Sequence, residues 1–353
     1  MVMADRIAKM GGMLVLALVL LFAFTSISDA APKYEKRTLS LSAYYSPGHS
    51  EDPMYKSCVY FAELVKKYTN GQVVVSLSGE GQIYSSGTEM VKAAMMGALD
   101  IVWVPQSRHT IAGLKNWRIF SVPGLLTPGA GNEKFYGERL YKYFEDPAVF
   151  KIFSDEARSK GLMLFTIQAD APLILIAKKP YQPKDLKGIK LGSPGSLGYR
   201  LLGQRYGIAV VPLVATGERY SAIQQGMIDG ILGTSKYLSM SYKWVELAPY
   251  AMSEPWSAVI HTLEISSATW DSLSNDLKAL LKDKVIPEAN AYCRKAFIEN
   301  NKKLDRQYKA AGGEDYSWSQ ADVEALIAWY KEVVQQFRGE VDPKLLDMAV
   351  KYQ

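Results

Sequence analysis

Three histidines (His49, His109 and His261) and two cysteines (Cys58 and Cys293) are the groups of this chain best suited to metal or covalent chemistry, and they are scattered. Metal sites need such ligands at close spacing, and neither H-E-x-x-H nor C-x-x-C occurs. There is no G-x-S-x-G nucleophile turn and no G-x-x-x-x-G-K-[ST] phosphate loop. Gly79-Glu-Gly81 follows a predicted strand, but it lacks the third glycine and the later acid of a dinucleotide loop. Binding without turnover, with no metal and no cofactor, is the expectation; an enzyme whose site assembles from distant segments, or a sensor subunit on the same scaffold, is the alternative.

Candidates for that binding sit at predicted strand ends. Tyr44 and Tyr45 end the first strand, Glu80 follows the second, and Trp103 and Gln106 flank the end of the third. Gly192, Ser193 and Ser196 belong to a glycine, serine and proline loop after a short strand. Tyr199, Thr234, Tyr237 and Trp256 follow later strands. Aromatic rings offer platforms to apolar, aromatic or cationic ligands, and they serve core packing equally well. Glu80 facing a cleft without an arginine would favour a hydrogen-bond donor or an amine; as a solvated loop residue it has no such role. Asp100 and Asp229 each end a helix-to-strand turn, where Asp bonds local backbone, and are read as structural. Lys187 and Lys190 read as a solvated face.

The elements that position these residues alternate. Leu39–Tyr44, Val73–Leu77 and Asp100–Val104 read as strands. Between them Met54, Cys58, Phe61, Ala62, Val65 and Tyr68 recur at helical spacing, and Ser86-Gly-Thr-Glu89 forms a capping box. Strands follow at 162–167, 173–177, 189–191, 209–211, 229–232 and 258–265, with helices at 197–206, 218–226 and 319–337. Such alternation predicts layered α/β structure with parallel strands. From Thr269 to about Ala310 the pattern is helical almost throughout, with Pro287 expected to kink it.

The chain opens with Arg6 and Lys9, then a charge-free run from Met13 to Phe24, then Ser28-Asp29-Ala30. This run is shorter than the about 20 apolar residues of a membrane-crossing helix. Basic start, short apolar core and small-x-small exit make a signal peptide over 1–30, cut before Ala31, which places the mature chain in a periplasm. No later stretch spans a membrane. The net charge of +5 is spread out and not interleaved with aromatics, which argues against nucleic acid. An oxidising compartment permits a Cys58–Cys293 bridge, but both lie in helix-like segments where buried free thiols are common.

Several stretches together resemble a known family. "MVKAAMMGALD" (90–100) resembles its helix–Gly-x-x-Asp–strand segment, and Pro183-Lys-Asp-Leu-Lys-Gly-Ile-Lys190 resembles its P-x-D-L-K-G-x-K. Glu218-Arg-Tyr-Ser-Ala-Ile-Gln-Gln-Gly-Met-Ile-Asp-Gly230 resembles its E-x-Y-x-A-L-Q-Q-G-x-x-D-G, and "WDSLSNDLKALL" (270–281) the start of its long helix. The chain is similar to the substrate-binding proteins of tripartite ATP-independent periplasmic (TRAP) transporters, the DctP-type group. The resemblance implies an α/β, two-lobe periplasmic binding protein fold (type II-like), with crossing hinge strands and a long bracing helix. On that fold 31–168 plus 257–297 form lobe I, and 169–256 plus 298–353 form lobe II. It also implies a small organic solute, membrane permease subunits as partners, transport driven by an ion gradient, and no enzyme activity.

Against that family the chain departs at ligand-facing strand ends. The arginine that usually pairs with a ligand carboxylate falls at Gly192, a second arginine is missing around Asp170–Pro172, and Ile231-Leu232-Gly233 lacks the polar ending of D-G-Q-E-N. A buried carboxylate without a partner is strongly disfavoured, so a simple C4-dicarboxylate is not expected. The expected solute is neutral or aromatic, or a monoacid held by backbone amides of the 193–196 loop. The competing reading of that loop is a helix N-cap by Ser193 or Ser196.

Overall fold

The computed structural model describes residues 33–44, 52–124, 138–193, 195–213 and 217–352. Three parallel strands open the fold: β1 (Arg37–Ala43) lies between β2 (Val73–Gly79) and β3 (Ile101–Pro105). Leu39, Leu41 and Ala43 alternate into the core, as period-two patterning requires. α1 (Pro53–Tyr68) starts where the Asp52 carboxylate accepts the N–H groups of Met54 and Tyr55, with Pro53 at its first turn. α2 (Gly87–Met95) is capped by Ser86, whose hydroxyl accepts from Glu89 N–H. α3 (Gln106–Ala112) follows β3 directly and ends at Gly113, whose φ of 99° suits glycine.

After α4 (Glu138–Glu145) and α5 (Pro147–Ser159), β4 runs without a break from Leu162 to Ala177, where two separate strands were expected. Asp170-Ala171-Pro172 does interrupt the pairing: the register with β9 (Ser257–Ser266) shifts between Ala169 and Pro172. Proline donates no ladder bond, but a bulge absorbs it while the chain stays extended. Beyond that bulge β4 pairs with β7 (Gly230–Thr234) on one side and β8 (Tyr250–Met252) on the other. One strand thus serves both lobes.

In the second lobe β5 (Lys190–Ser193) lies parallel between β6 (Ala209–Pro212) and β7. α6 (Leu197–Tyr206), α7 (Glu218–Gln224) and α8 (Lys236–Ser241) follow β5, β6 and β7 in turn. β10 (Glu314–Tyr316) pairs with β8, and the main sheet path reads β2-β1-β3-β9-β4-β7-β5-β6.

The long helical run is built from pieces. α9 (Ser267–Ser272) ends before Ser274, which caps α10 (Asn275–Leu280). A π-helical turn, Leu281–Val285, then leads into α11 (Ile286–Ala310). Pro287 does not kink the helix midway. It stands in the first turn of α11, after the π turn, where a missing N–H is tolerated. Ala289, Cys293 and Phe297 pack in the core beneath β1 and β3, whereas Tyr308 packs in the core of the second lobe. The helix therefore braces both halves, and Cys58 and Cys293 are free and buried within its first-lobe contact.

α12 (Gln320–Val333) covers the second lobe, with Leu326 and Tyr330 beside Trp256. Past it the chain turns back: Phe337 and, from α13 (Pro343–Lys351), Leu345, Leu346 and Ala349 share a core with Trp117, Phe153 and Leu162. We keep the lobe boundaries expected from the sequence as a proposal. On that division residues 333–352 tie the end of lobe II onto lobe I. No helix among the described residues is long and apolar enough to cross a membrane.

Candidate functional site

Parallel α/β sheets bind ligands beyond the carboxyl ends of their strands. Here two sets of such ends, after β1–β3 and after β5–β7, carry groups that face one another. On the first side, α3 is pinned to β9 from two positions. The Gln106 amide accepts from Ile260 N–H (3.1 Å) and donates to the Ala258 carbonyl (3.3 Å), and His109 Nε2 lies 2.5 Å from Glu264 Oε2, both side chains fully buried. Arg108, between them, donates through Nη2 to the Tyr44 hydroxyl (3.0 Å), its guanidinium 5.0 Å above the Tyr44 ring. Its Nε is buried and bonded to nothing among the described residues. Glu80 is half-buried and accepts Gly87 N–H (3.0 Å). Burial raises its carboxyl pKa above the ordinary range, and nearby Arg108 opposes that rise.

On the second side the arginine expected at position 192 is replaced by apolar packing. A Cβ on Gly192 would meet methyl groups of Ile228 (3.0 Å) and Leu213 (3.1 Å). Another cation stands close by. Arg219 of α7 is 5% exposed, donates through Nε and Nη2 to the Leu213 carbonyl (3.2 and 3.0 Å), and lies 5.6 Å from the Trp244 ring. Burial lowers its pKa, while the oxygens of Tyr44, Tyr199 and Tyr242 favour its charge. Tyr44 comes from the first side and Tyr199 and Tyr242 from the second. Tyr242 in turn feels Tyr44 and Glu80. Charge interactions thus link these six residues across the two lobes, with two guanidinium groups and one carboxyl among them.

Other predicted residues divide between this cleft and the scaffold. Tyr199 is buried and fills the space beside Gly233, where a Cβ would lie 2.2 Å from its hydroxyl. The polar ending missing after Asp229-Gly230 has thus been replaced by a ring from α6. Ser196 Oγ and Thr234 Oγ1 are buried without partners among the described residues. Ser193 is local scaffold: its hydroxyl accepts Gly195 N–H (3.3 Å). Ser196 stands at the N-cap of α6 without making a side-chain cap, so neither serine caps that helix.

Trp103 and Trp256, expected near the ligand, are core residues instead. Trp103 is fully buried edge-on to Phe61, and Trp256 is fully buried against Trp318. Trp103 lies within β3, where period-two alternation turns its ring into the core, and Trp256 lies in the bend just before β9. Gln106 holds β9 rather than facing the cleft. Tyr45 lies outside the described residues.

Tyr237 marks a second interlobe contact. Its hydroxyl bonds the Asp52 carboxylate at the start of α1. Asp170 lies near enough to raise the Asp52 pKa further, while its own Oδ2 is 3.1 Å from His261 Nε2 and its carbonyl accepts from Asn301 of α11 (2.7 Å). Burial is the larger cause, and together they push Asp52 to about 7.

Residues 46–340 match the bacterial extracellular solute-binding proteins of family 7, DctP. The chain belongs to the DctP family. It is 25% identical to the C4-dicarboxylate-binding periplasmic protein DctP of Rhodobacter capsulatus over 296 residues, 84% of each chain. A TRAP periplasmic solute-binding protein from Ochrobactrum anthropi shares the fold with a TM-score of 0.79 at 21% identity, covering 90% of this chain and 95% of that one. The sugar-acid-binding protein of Advenella mimigardefordensis, solved with galactonate, gives 0.74 at 18% identity, covering 91% and 100%.

Within this DctP-family chain, Arg108 and Arg219 are the candidate functional residues that sequence reasoning missed. Arg219 occupies the variable position of the E-x-Y motif, on a helix whose pattern reads as scaffold. The usable signal was a lone arginine a few residues past the β6 strand end, on the strand next to the one that lost its own.

Proposed function

We propose that this protein is the periplasmic solute receptor of a TRAP-type transporter and that it captures a small monocarboxylate with an apolar or aromatic body. Arg219 carries this reading, because it is a buried cation at the carboxyl ends of the second-lobe strands beside Tyr44 of the first lobe. One carboxylate balances the excess of two guanidinium groups over Glu80. A second carboxylate would lie where Gly192, Ile228 and Leu213 offer no cation, so the dicarboxylate of the Rhodobacter capsulatus relative does not carry over. Tyr44, Tyr199 and Tyr242 supply ring surface for the body of the solute, and Ser196 and Thr234 supply hydroxyls.

The role follows from contacts on both lobes. A solute touching Arg108 or Tyr44 on one side and Arg219 on the other favours the closed state by its differential affinity for it. A signal peptide over 1–30 delivers the chain to the periplasm, and permease subunits receive the filled protein there. Nothing in this role needs turnover.

The test is calorimetric titration of the mature chain with benzoate, 2-oxobutanoate, succinate, galactonate and benzamide. A monocarboxylate should bind, and Arg219→Met should weaken it by about 2–5 kcal/mol, roughly 30- to several-thousand-fold in Kd. Tight succinate binding that survives Arg219→Met would sink the assignment, as would conversion of the bound acid.

A further inference from the structure

We infer a second small-molecule site, behind the cleft, that takes a neutral one-ring aromatic compound carrying a hydrogen-bonding amide or hydroxyl. A recess of about 390 Å³ opens between α4, the start of α5, β4 and α11. That volume lies within the range of small-ligand pockets. Its walls are aromatic: Tyr141 and Phe144 from α4, Phe150 from α5 and Phe165 from β4. Its floor is polar, because Thr166 and Gln168 occupy alternate positions on one face of β4 and line the recess.

Both floor residues are almost wholly buried, at 4% and 2% exposed. Thr166 Oγ1 and Gln168 Oε1 nevertheless have no hydrogen-bond partner among the described residues. Gln168 Nε2 is engaged with Asn290 Oδ1 on α11, which leaves the amide oxygen as the free end. Buried polar atoms are normally satisfied, and two orphans at the base of one aromatic recess mark a place where something binds. The occupant must donate to Gln168 and can accept from the Thr166 hydroxyl; a carboxamide or a phenol does both.

Charge decides between neutral and ionic occupants. Among the described residues that line the recess the one cation, Arg294, is paired with Glu145 (3.0 Å) and lies 3.6 Å over the Tyr141 ring. The recess therefore carries no net charge, and an acid or amine would enter unpartnered. Two residues further along β4 from Gln168 stands Asp170, bonded to His261 and Asn301. An occupant of the recess thus rests on the strand that both lobes share.

Benzamide is the probe. It should bind the wild-type mature chain and Arg219→Met equally, show nuclear Overhauser contacts to the Tyr141 ring, and bind Gln168→Leu at least tenfold more weakly. Phe150→Trp, which fills the mouth without touching the floor, should also block it while the melting temperature holds. Binding lost in Arg219→Met but kept in Gln168→Leu would put benzamide in the solute cleft and overturn the assignment. Absence of binding to the wild-type chain would overturn it as well, leaving water as the partner of Thr166 and Gln168.

Discussion

At the scale of single residues, the clearest feature is an exchange of positions for positive charge. The family's strand-end arginine is absent at Gly192, and a buried guanidinium enters from α7 instead. The loss was legible, because Lys190-Leu191-Gly192 stands in a matched motif. The replacement was not, because a helix with scaffold-like patterning gives no sign that one of its side chains turns toward a strand end twenty-seven positions earlier in the chain. The two tryptophans failed for a related reason: a ring at a strand end is read alike whichever face it occupies. Gly192→Arg tests the exchange. The atoms a side chain would meet there are methyl ends of Ile228 and Leu213, which can swing aside. The variant should fold with a modest loss of about 1–3 kcal/mol and gain affinity for succinate at least tenfold. Calorimetry that shows a stable variant with no gain would mean position 192 does not face the solute.

At the scale of elements, alternation and caps revealed most strands and the helices α1, α2, α6 and α7 to within a residue or two, whereas α3, α4, α5, α8 and α13 were not read. Ser86 and Asp52 open helices as their types require. The single β4 was missed because Pro172 looks like a terminator, whereas a bulge carries the strand through it. The contact between α1 and α8 left no sequence trace, since it joins Asp52 to Tyr237 across the lobes. It does carry a pH signature. Asp52 binds its proton more tightly in the fold, at about 7, than its ordinary 3.8. Between those values the folded chain holds the extra proton, so stability should fall as pH rises from about 4 to about 7 and then level off. Melting curves from pH 4.5 to 8 should show this decline. Asp52→Asn retains a cap and should flatten it. An unchanged slope in that variant would assign the dependence elsewhere.

At the scale of the whole molecule, two sheets share β4, α11 spans both, and the last residues return to the first lobe. The bracing helix was readable from its length, and the return was not, because helix patterning reveals an apolar face without naming the face it meets. Leu346→Ala should cost about 2–5 kcal/mol in urea unfolding, with the transition remaining single if the return is part of one cooperative core. A separate early transition would instead make residues 333–352 an appendage.

That return has a consequence for the order in which the protein can be made. Tyr143 donates its hydroxyl to the carbonyl of Leu345 (3.0 Å), and Leu345, Leu346 and Ala349 complete a core that begins with Met90. A chain emerging from the ribosome lacks this wall until residues 345–349 have been synthesised. Contacts so distant in sequence also form slowly. On the proposed export route the polypeptide threads a membrane unfolded, and a core whose walls lie 202 positions apart, as Tyr143 and Leu345 do, stays incomplete in whichever part of it crosses first.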